Sequence, residues 1–432
     1  MGTRLLSTLC LVVLAWLPSL ADGARDVIRV IVDPSQKAKV AVLNFTEDEQ
    51  RVNTELSREL TDALRFDLNN CGYYAVVDDP AETQTTNLKY WRGLGAAILV
   101  QGDYSRAGDS LTVRIQAQDI GSGRVLLSRK AKGPEAQARR LVHALSDDIV
   151  KTLVGVDGIA RTQIAFIKEN ADGGKDLYLV DYDGHNLRRI TKDKGVAVSP
   201  DWSPDGQSIY YTSMHKGDPD LYRIDLRRGE RFVVAKYPGL NYAAAVSPDG
   251  TKIALVLSKS GTPDIYTMDA DGKNLKRRTA SPGNLSTCPV WSPDGTRIAY
   301  VSDVSGGPQI YLMNADGTNQ HRLLTGYREM SSLDWSPSPR TGNLIVFSAK
   351  VQGRRQIFVA DIKRNFVKQL TYDAASHEDP NFAPDGRHIV YVREPRSGAM
   401  DLYMLDVFDP KPVQITRFDG NESYPAWSPT GY

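Results

Sequence analysis

The sequence predicts an α/β amino-terminal domain followed by an all-β, six-bladed β-propeller closed by its own carboxy-terminal strand. Three observations carry this prediction. A turn motif, fullest as Trp-Ser-Pro-Asp-Gly, returns six times downstream of residue 160; an Asp-Leu-Tyr motif returns six times in step with it; residues 25–155 show neither. Periods of about 45 residues belong to propellers or to helical arrays, and strand chemistry chooses between them.

The turn motif runs Trp202-Ser203-Pro204-Asp205-Gly206, Val246-Ser247-Pro248, Trp291-Ser292-Pro293, Trp335-Ser336-Pro337, Phe382-Ala383-Pro384 and Trp427-Ser428-Pro429. Its second companion appears as Asp176-Leu177-Tyr178, Asp220-Leu221-Tyr222, Asp264-Ile265-Tyr266, Gln309-Ile310-Tyr311, Gln356-Ile357-Phe358 and Asp401-Leu402-Tyr403. Short runs rich in Ile, Val and Tyr follow both, as in Ile298-Ala299-Tyr300-Val301, bounded by turn residues. Such runs are strands, and their apolar residues at successive positions predict burial on both faces, as between neighbouring blades. Four strands per repeat follow, the last near Arg189-Ile190-Thr191 and its equivalents. Pro204 presets the turn and Gly206 its exit. Asp183-Gly184, Asp271-Gly272 and Asp316-Gly317 predict tight hairpins; Asp269-Ala270-Asp271-Gly272 resembles a calcium loop only faintly, because Arg278 stands where the closing Glu belongs.

The last repeat ends after its first strand, and Ile164-Ala165-Phe166-Ile167 is a second-type strand with no first strand before it. The two halves predict one shared blade and a ring without an unpaired edge. One bulky residue per blade (Trp202, Val246, Trp291, Trp335, Phe382, Trp427) is expected to fill the cores between blades.

Upstream, Val27–Val32 and Ala38–Phe45 are predicted strands. Val52, Leu56, Leu60, Leu64 and Leu68 form one helical face with Gly72 beyond its end. Strands follow at 74–77, 97–100, 111–113 and 125–127, then a helix from Glu135 to about Val154. Arg4, the apolar run Leu5–Leu17 and the small residues Ser19 and Ala21 predict a cleaved secretory signal. The expected organisation is therefore a signal over 1–21, an arm over 22–36, an α/β domain over 37–157 and the propeller over 158–432. No stretch beyond Leu17 is long and apolar enough to span a bilayer.

Charge is balanced, 53 basic against 52 acidic residues, and no basic stripe or helix-turn-helix pattern points to nucleic acid. Cys71 and Cys288 fall in different predicted domains, so no disulfide is expected, which suits a periplasmic protein with ordinary cores. No Gly-x-Ser-x-Gly elbow is present, so the gate-type propeller of a peptidase would lack its hydrolase. His377-Glu378 begins like a zinc-protease motif, but Asn381 replaces the second His. No catalytic residue, metal site or cofactor is predicted. His377, Glu378 and Asp379 precede an inner strand, where they are expected at the channel mouth as solvated rim or as cation ligands. A propeller binding a small ligand or carbohydrate in its channel is the competing class.

With the signal, the α/β domain and six repeats together, the sequence resembles the TolB family of the Tol–Pal system across essentially its whole length. The most specific pieces are the repeat array, Ala426-Trp427-Ser428-Pro429, Ile28-Arg29-Val30-Ile31-Val32-Asp33, and Leu94-Gly95-Ala96 leading into Leu99-Val100-Gln101-Gly102. The resemblance implies a non-enzymatic periplasmic adaptor acting in outer-membrane integrity and in invagination during cell division. It implies two partners: the C-terminal domain of inner-membrane TolA on the arm (Val27, Ile28, Arg29, Val30, Ile31, Val32, Asp33), and the outer-membrane lipoprotein Pal at the mouth. The mouth residues it implies are Leu240, Asn241, Ala243 and Thr287, joined by Glu378 at the equivalent place in another blade. An arm of alternating apolar residues is also suited to pairing with a partner's sheet edge.

Overall fold

The computed structural model describes residues 37–48, 54–79, 85–193, 195–327 and 329–431; the predicted signal and the arm, with Val27 through Asp33, lie outside the described residues. The α/β domain has strands β1 (Ala38–Val42), β2 (Thr46–Glu47), β3 (Tyr74–Val76), β4 (Ile98–Ala107), β5 (Ser110–Asp119) and β6 (Val125–Pro134). They form one sheet in the order β3-β1-β4-β5-β6, with β2 beside β4; β1 runs parallel to β3 and β4, and β4-β5-β6 is antiparallel. Helices α1 (Glu55–Asn70) and α3 (Ala138–Leu153) bury Leu60, Leu64, Val142 and Leu145 against Val100, Val113 and Ile115 on one face. Thr54 caps α1 by accepting from the Ser57 N–H at 3.0 Å.

Several expectations are corrected here. The strands expected at 97–100, 111–113 and 125–127 extend to ten residues each, because their outer halves alternate polar and apolar and bury only one face. The helix expected from Glu135 opens with a 3-10 turn and becomes α-helical at Ala138. A short helix, α2 (Leu88–Gly93), was not foreseen; it buries Trp91 with Ala41 and Leu99 on the second sheet face.

Residues 163–427 form six four-stranded antiparallel sheets, the blades. We number them from the inner strands: Ala197–Trp202 (blade 1), Asn241–Val246 (2), Ser286–Trp291 (3), Ser331–Trp335 (4), Ser376–Phe382 (5) and Glu422–Trp427 (6). Blade 6 closes the ring: Glu422–Trp427 pairs with Gln163–Glu169, placing Ser423 opposite Ile167 and Trp427 opposite Ile164. The aromatic positions pack between blades. Trp202 donates its indole N–H to the Ala426 carbonyl of blade 6 at 2.9 Å, and Trp291 donates to Ala245 of blade 2 at 3.0 Å. Val246 is only half-buried.

The Asp-Leu-Tyr motif meets the Thr of the outer-strand signature in space. In blade 6 the Thr191 hydroxyl accepts from the Leu177 N–H and donates to buried Asp176; in blade 2 Thr279 does the same for Ile265 and Asp264. The Ser-Pro-Asp-Gly turn closes similarly, Ser292 donating to Asp294 and the Gly295 N–H to the Ser292 carbonyl. That hydroxyl, with the Thr296 N–H, holds Asp294 down at about 2. Asp271-Gly272 is a hairpin, with the Gly272 N–H on the Asp269 carbonyl.

Candidate partner-binding site

Each inner strand is a sheet edge facing the central channel, and an uncovered edge invites unwanted pairing. Every blade breaks it at the same place. The register slips between Val198 and Asp201, Tyr242 and Ala245, Thr287 and Val290, Ser331 and Leu333, Glu378 and Asn381, and Ser423 and Ala426. At each slip one non-glycine residue takes a left-handed backbone: Ser199, Ala243, Cys288, Ser332, Asp379 and Tyr424, with φ between 43° and 52°. Proline follows in four blades (Pro200, Pro289, Pro380, Pro425), tolerable because an edge strand has an N–H to spare. This Pro-x-aromatic signal is present in the sequence, yet sequence reasoning did not use it.

The bulges turn side chains onto the neighbouring strand. Asp201 accepts from the Val246 N–H (3.0 Å), Asp334 from Phe382 (2.7 Å) and Asn381 from Trp427 (2.6 Å), linking successive blades around the channel. Asp379 accepts from the Ser332 hydroxyl at 2.6 Å. Burial pushes Asp201 up to about 6 and Asp334 up to about 7.

Strand direction puts the beginnings of the inner strands at the end of the channel away from the Ser-Pro-Asp-Gly turns, and Leu240, Ala243, Thr287 and Glu378 belong to this mouth. Leu240 is 39% exposed; Ala243 and Thr287 are half-buried at bulges. Glu378 pairs with Arg355 at 3.3 Å, and burial, then the neighbouring Asp379, raises its pKa. Two placements differ from expectation. Asn241 is fully buried: its amide bonds the Tyr237 N–H and carbonyl and the Pro219 carbonyl, so it holds the loop under Leu240 instead of presenting itself. His377 lies beneath the rim, bound to Asp373 at 2.7 Å and packed on Tyr391, because its side chain alternates inward from that of Glu378. Among the described residues no group of three or more His, Cys, Asp or Glu side chains is placed to hold a metal ion.

The opposite face carries the α/β domain, on blades 5 and 6. At blade 6, His143 of α3 is fully buried between Asp67 of α1 (2.9 Å) and Asp183 of the blade hairpin (3.3 Å). Tyr182 and Ser146 also donate to Asp67, each at 2.6 Å, and Arg139 reaches Asp183. Burial opposes the imidazolium, but the two carboxylates outweigh it and raise His143 to about 10. Burial likewise opposes the Asp183 carboxylate, while His143, His185 and Arg139 hold it far below the usual range. At blade 5, Arg387 pairs with Asp406 at 2.7 Å and lies over Tyr73 of the domain and Phe408 of the propeller. Gly72 is required twice there: its φ is +86°, and a Cβ would stand 2.3 Å from the Arg387 Nε.

A six-bladed ring with one mouth uncovered by any of the described residues and an α/β domain clamped to the other face defines a two-ended propeller protein. Family models agree: the TolB beta propeller domain matches residues 150–431 and the TolB amino-terminal domain matches residues 26–126. The chain belongs to the TolB family. It is 35% identical over 161 residues to the Tol-Pal system protein TolB of Geobacter sulfurreducens, covering 36% of this chain and 37% of that one. It is 32% identical over 224 residues to that of Desulfosudis oleivorans, covering 49% and 51%. The chain thus spans about half or less of the length of these relatives. The crystal structure of TolB from Acinetobacter baumannii superposes with a TM-score of 0.79 at 25% identity, over 92% of this chain and 98% of that one. No helix among the described residues is long and apolar enough to cross a membrane.

Proposed function

We propose that this chain is a non-enzymatic periplasmic adaptor of the Tol–Pal system, joining inner-membrane TolA to the outer-membrane lipoprotein Pal and so supporting outer-membrane integrity and invagination at division. The observation that carries the reading is the division of the molecule into two ends. The α/β domain occupies the turn face of blades 5 and 6, and the mouth at the far end of the channel carries exposed Leu240 at blade 2, Thr287 at blade 3 and, across the ring, Glu378 at blade 5. In this reading Pal seats on Leu240, Ala243, Thr287 and Glu378 over a loop that Asn241 keeps rigid. The C-terminal domain of TolA takes the arm, Val27 to Asp33, whose alternating residues add to a sheet edge.

The test has two arms with separate readouts. Thr287→Arg places a charge that docking would desolvate, and should weaken Pal binding on the order of tenfold or more with unchanged melting. Deleting 22–33 should abolish TolA binding and spare Pal binding. Equal Pal affinity in wild type and Thr287→Arg would move Pal off this mouth; unchanged TolA binding would move TolA off the arm.

A further inference from the structure

At the first position of the Asp-Leu-Tyr motif, five blades either pair a carboxylate with a cation or carry no charge. In blades 6 and 2, buried Asp176 and Asp264 accept from a hydroxyl, Thr191 or Thr279, and from a guanidinium, Arg189 or Arg277. Blade 1 pairs Asp220 with Lys236 at 3.6 Å, and blades 3 and 4 carry Gln309 and Gln356. Blade 5 is built otherwise. Gln414 stands where blades 6 and 2 have their arginines, and half-buried Asp401 takes its amide at 3.1 Å. The Thr416 hydroxyl donates instead to Glu422, the first residue of the closing strand, and the Leu402 N–H donates to the same Oε2 at 3.2 Å. Glu422 is fully buried, and its Oε1 has no hydrogen-bond partner among the described residues.

From this exchange of an Asp–Arg pair for a lone buried carboxyl, we propose that Glu422 makes the joint between blade 5 and the closing strand a proton-operated latch, fastened when the carboxyl is protonated and loosened when it ionises. A proton on Oε1 removes the charge and leaves the Thr416 and Leu402 bonds to Oε2 in place. Ionised, the group is a desolvated charge with one oxygen unbonded. The charges around it do not compensate. Lys168, its cross-strand neighbour in blade 6, turns to the Glu169 carbonyl and the Tyr178 ring, and the Glu169 carboxylate takes the Asn421 amide. On the blade 5 side stands Asp401, on which Arg417 and Arg393 act. Burial raises the Glu422 pKa to about 8, with Asp401 adding to the rise and Thr416, the Leu402 N–H and Lys168 opposing it. The folded value lies above the ordinary 4.5, so the contribution of protonated Glu422 is complete below 4.5 and is lost as pH rises through about 8. The loosening is local: Glu422 precedes Ser423 at the mouth, whereas Trp427 holds the far end of the strand through its indole N–H on Thr162 at 2.7 Å. This inference is independent of Pal and TolA binding.

Calorimetry and infrared spectroscopy of the full chain, without its signal, test it from pH 5 to 9. The ring melting temperature of wild type should fall over that range by on the order of 5 °C more than that of Glu422→Gln, which keeps the shape of the side chain and carries no charge. Infrared spectra of the folded wild type should lose a protonated-carboxyl band as pH rises, a band that Glu422→Gln lacks throughout. Lys168→Met keeps the stem and removes the one cation that favours ionisation, so it should move the loss of that band, and the end of the fall in melting temperature, to higher pH. Parallel melting profiles in wild type and Glu422→Gln, or spectra without a band missing from the variant, would overturn the latch. Should Glu422→Gln fail to fold, the Lys168→Met comparison decides: a band and a melting profile that titrate as in wild type overturn it.

Discussion

Between blades the packing is mainly aliphatic and aromatic, joined by single hydrogen bonds from Trp202 and Trp291 and by the bulge side chains Asp201, Asp334 and Asn381 to the neighbouring strand. Between the α/β domain and the ring the contacts centre on charges: His143 between Asp67 and Asp183, and Arg387, held by Asp406 of its own blade, lying over Tyr73 of the domain. The first kind tolerates repetition, since any bulky apolar residue of about the right size fills the gap, as Phe382 does in place of Trp. The second kind tolerates little, because a buried charge that loses its partner keeps its desolvation cost. The comparison teaches that blades can be copied along a sequence, whereas the domain seam had to be built once, from particular atoms.

The largest effect expected is at the ring closure. Removing the sequence from Asn421 onward strips the inner strand from blade 6 and should abolish cooperative melting of the propeller, read by near-ultraviolet circular dichroism. A truncated chain that melts like wild type would sink the closure argument. Next come single side chains, one from each seam. Trp427→Ala should cost about 3–5 kcal/mol of propeller stability by leaving a cavity. Asp67→Ala should cost about 3–5 kcal/mol by removing one of the two carboxylates that hold buried His143 and the acceptor of Tyr182 and Ser146, and calorimetry should show the loss in coupling of the two domains with the ring transition preserved.

Alkaline pH separates the two seams without mutation. His143 titrates at about 10 in the folded protein against 6.5 ordinarily, so its contribution is complete below 6.5 and is lost as pH rises through about 10. Asp183 is shifted downward, so its contribution is complete above 3.8 and is lost as pH falls below that. Calorimetry from pH 7 to 10 should therefore show domain coupling weaken in wild type, with a flatter response in His143→Gln; matching slopes would remove His143 from the seam. Gly72→Ala should cost about 1–3 kcal/mol through its left-handed backbone, besides displacing Arg387. Smallest is Ser292→Ala, about 1 kcal/mol for one turn hydrogen bond, checked by chemical denaturation.

Most of the ring was legible because its signals are local. Pro204, Gly206 and the runs after them specify turns and strands within a few residues of themselves, and six copies remove ambiguity. The mouth was legible only in part. Leu240 and Thr287 occupy the rim, but Asn241 and His377 turn inward, since one step along a strand reverses a side chain and bulges reset the alternation. The domain seam was not legible, as Asp67, His143 and Asp183 are far apart in sequence and share no motif.

By itself, then, the sequence determined the number of blades, the pairing of its two ends and the family, because repeats and turn residues act over short range. Tertiary structure alone decided which side chains ring the channel, which polar residues are spent on holding loops, and how the α/β domain is clamped to blades 5 and 6. Those depend on burial, and burial depends on what the rest of the chain brings alongside.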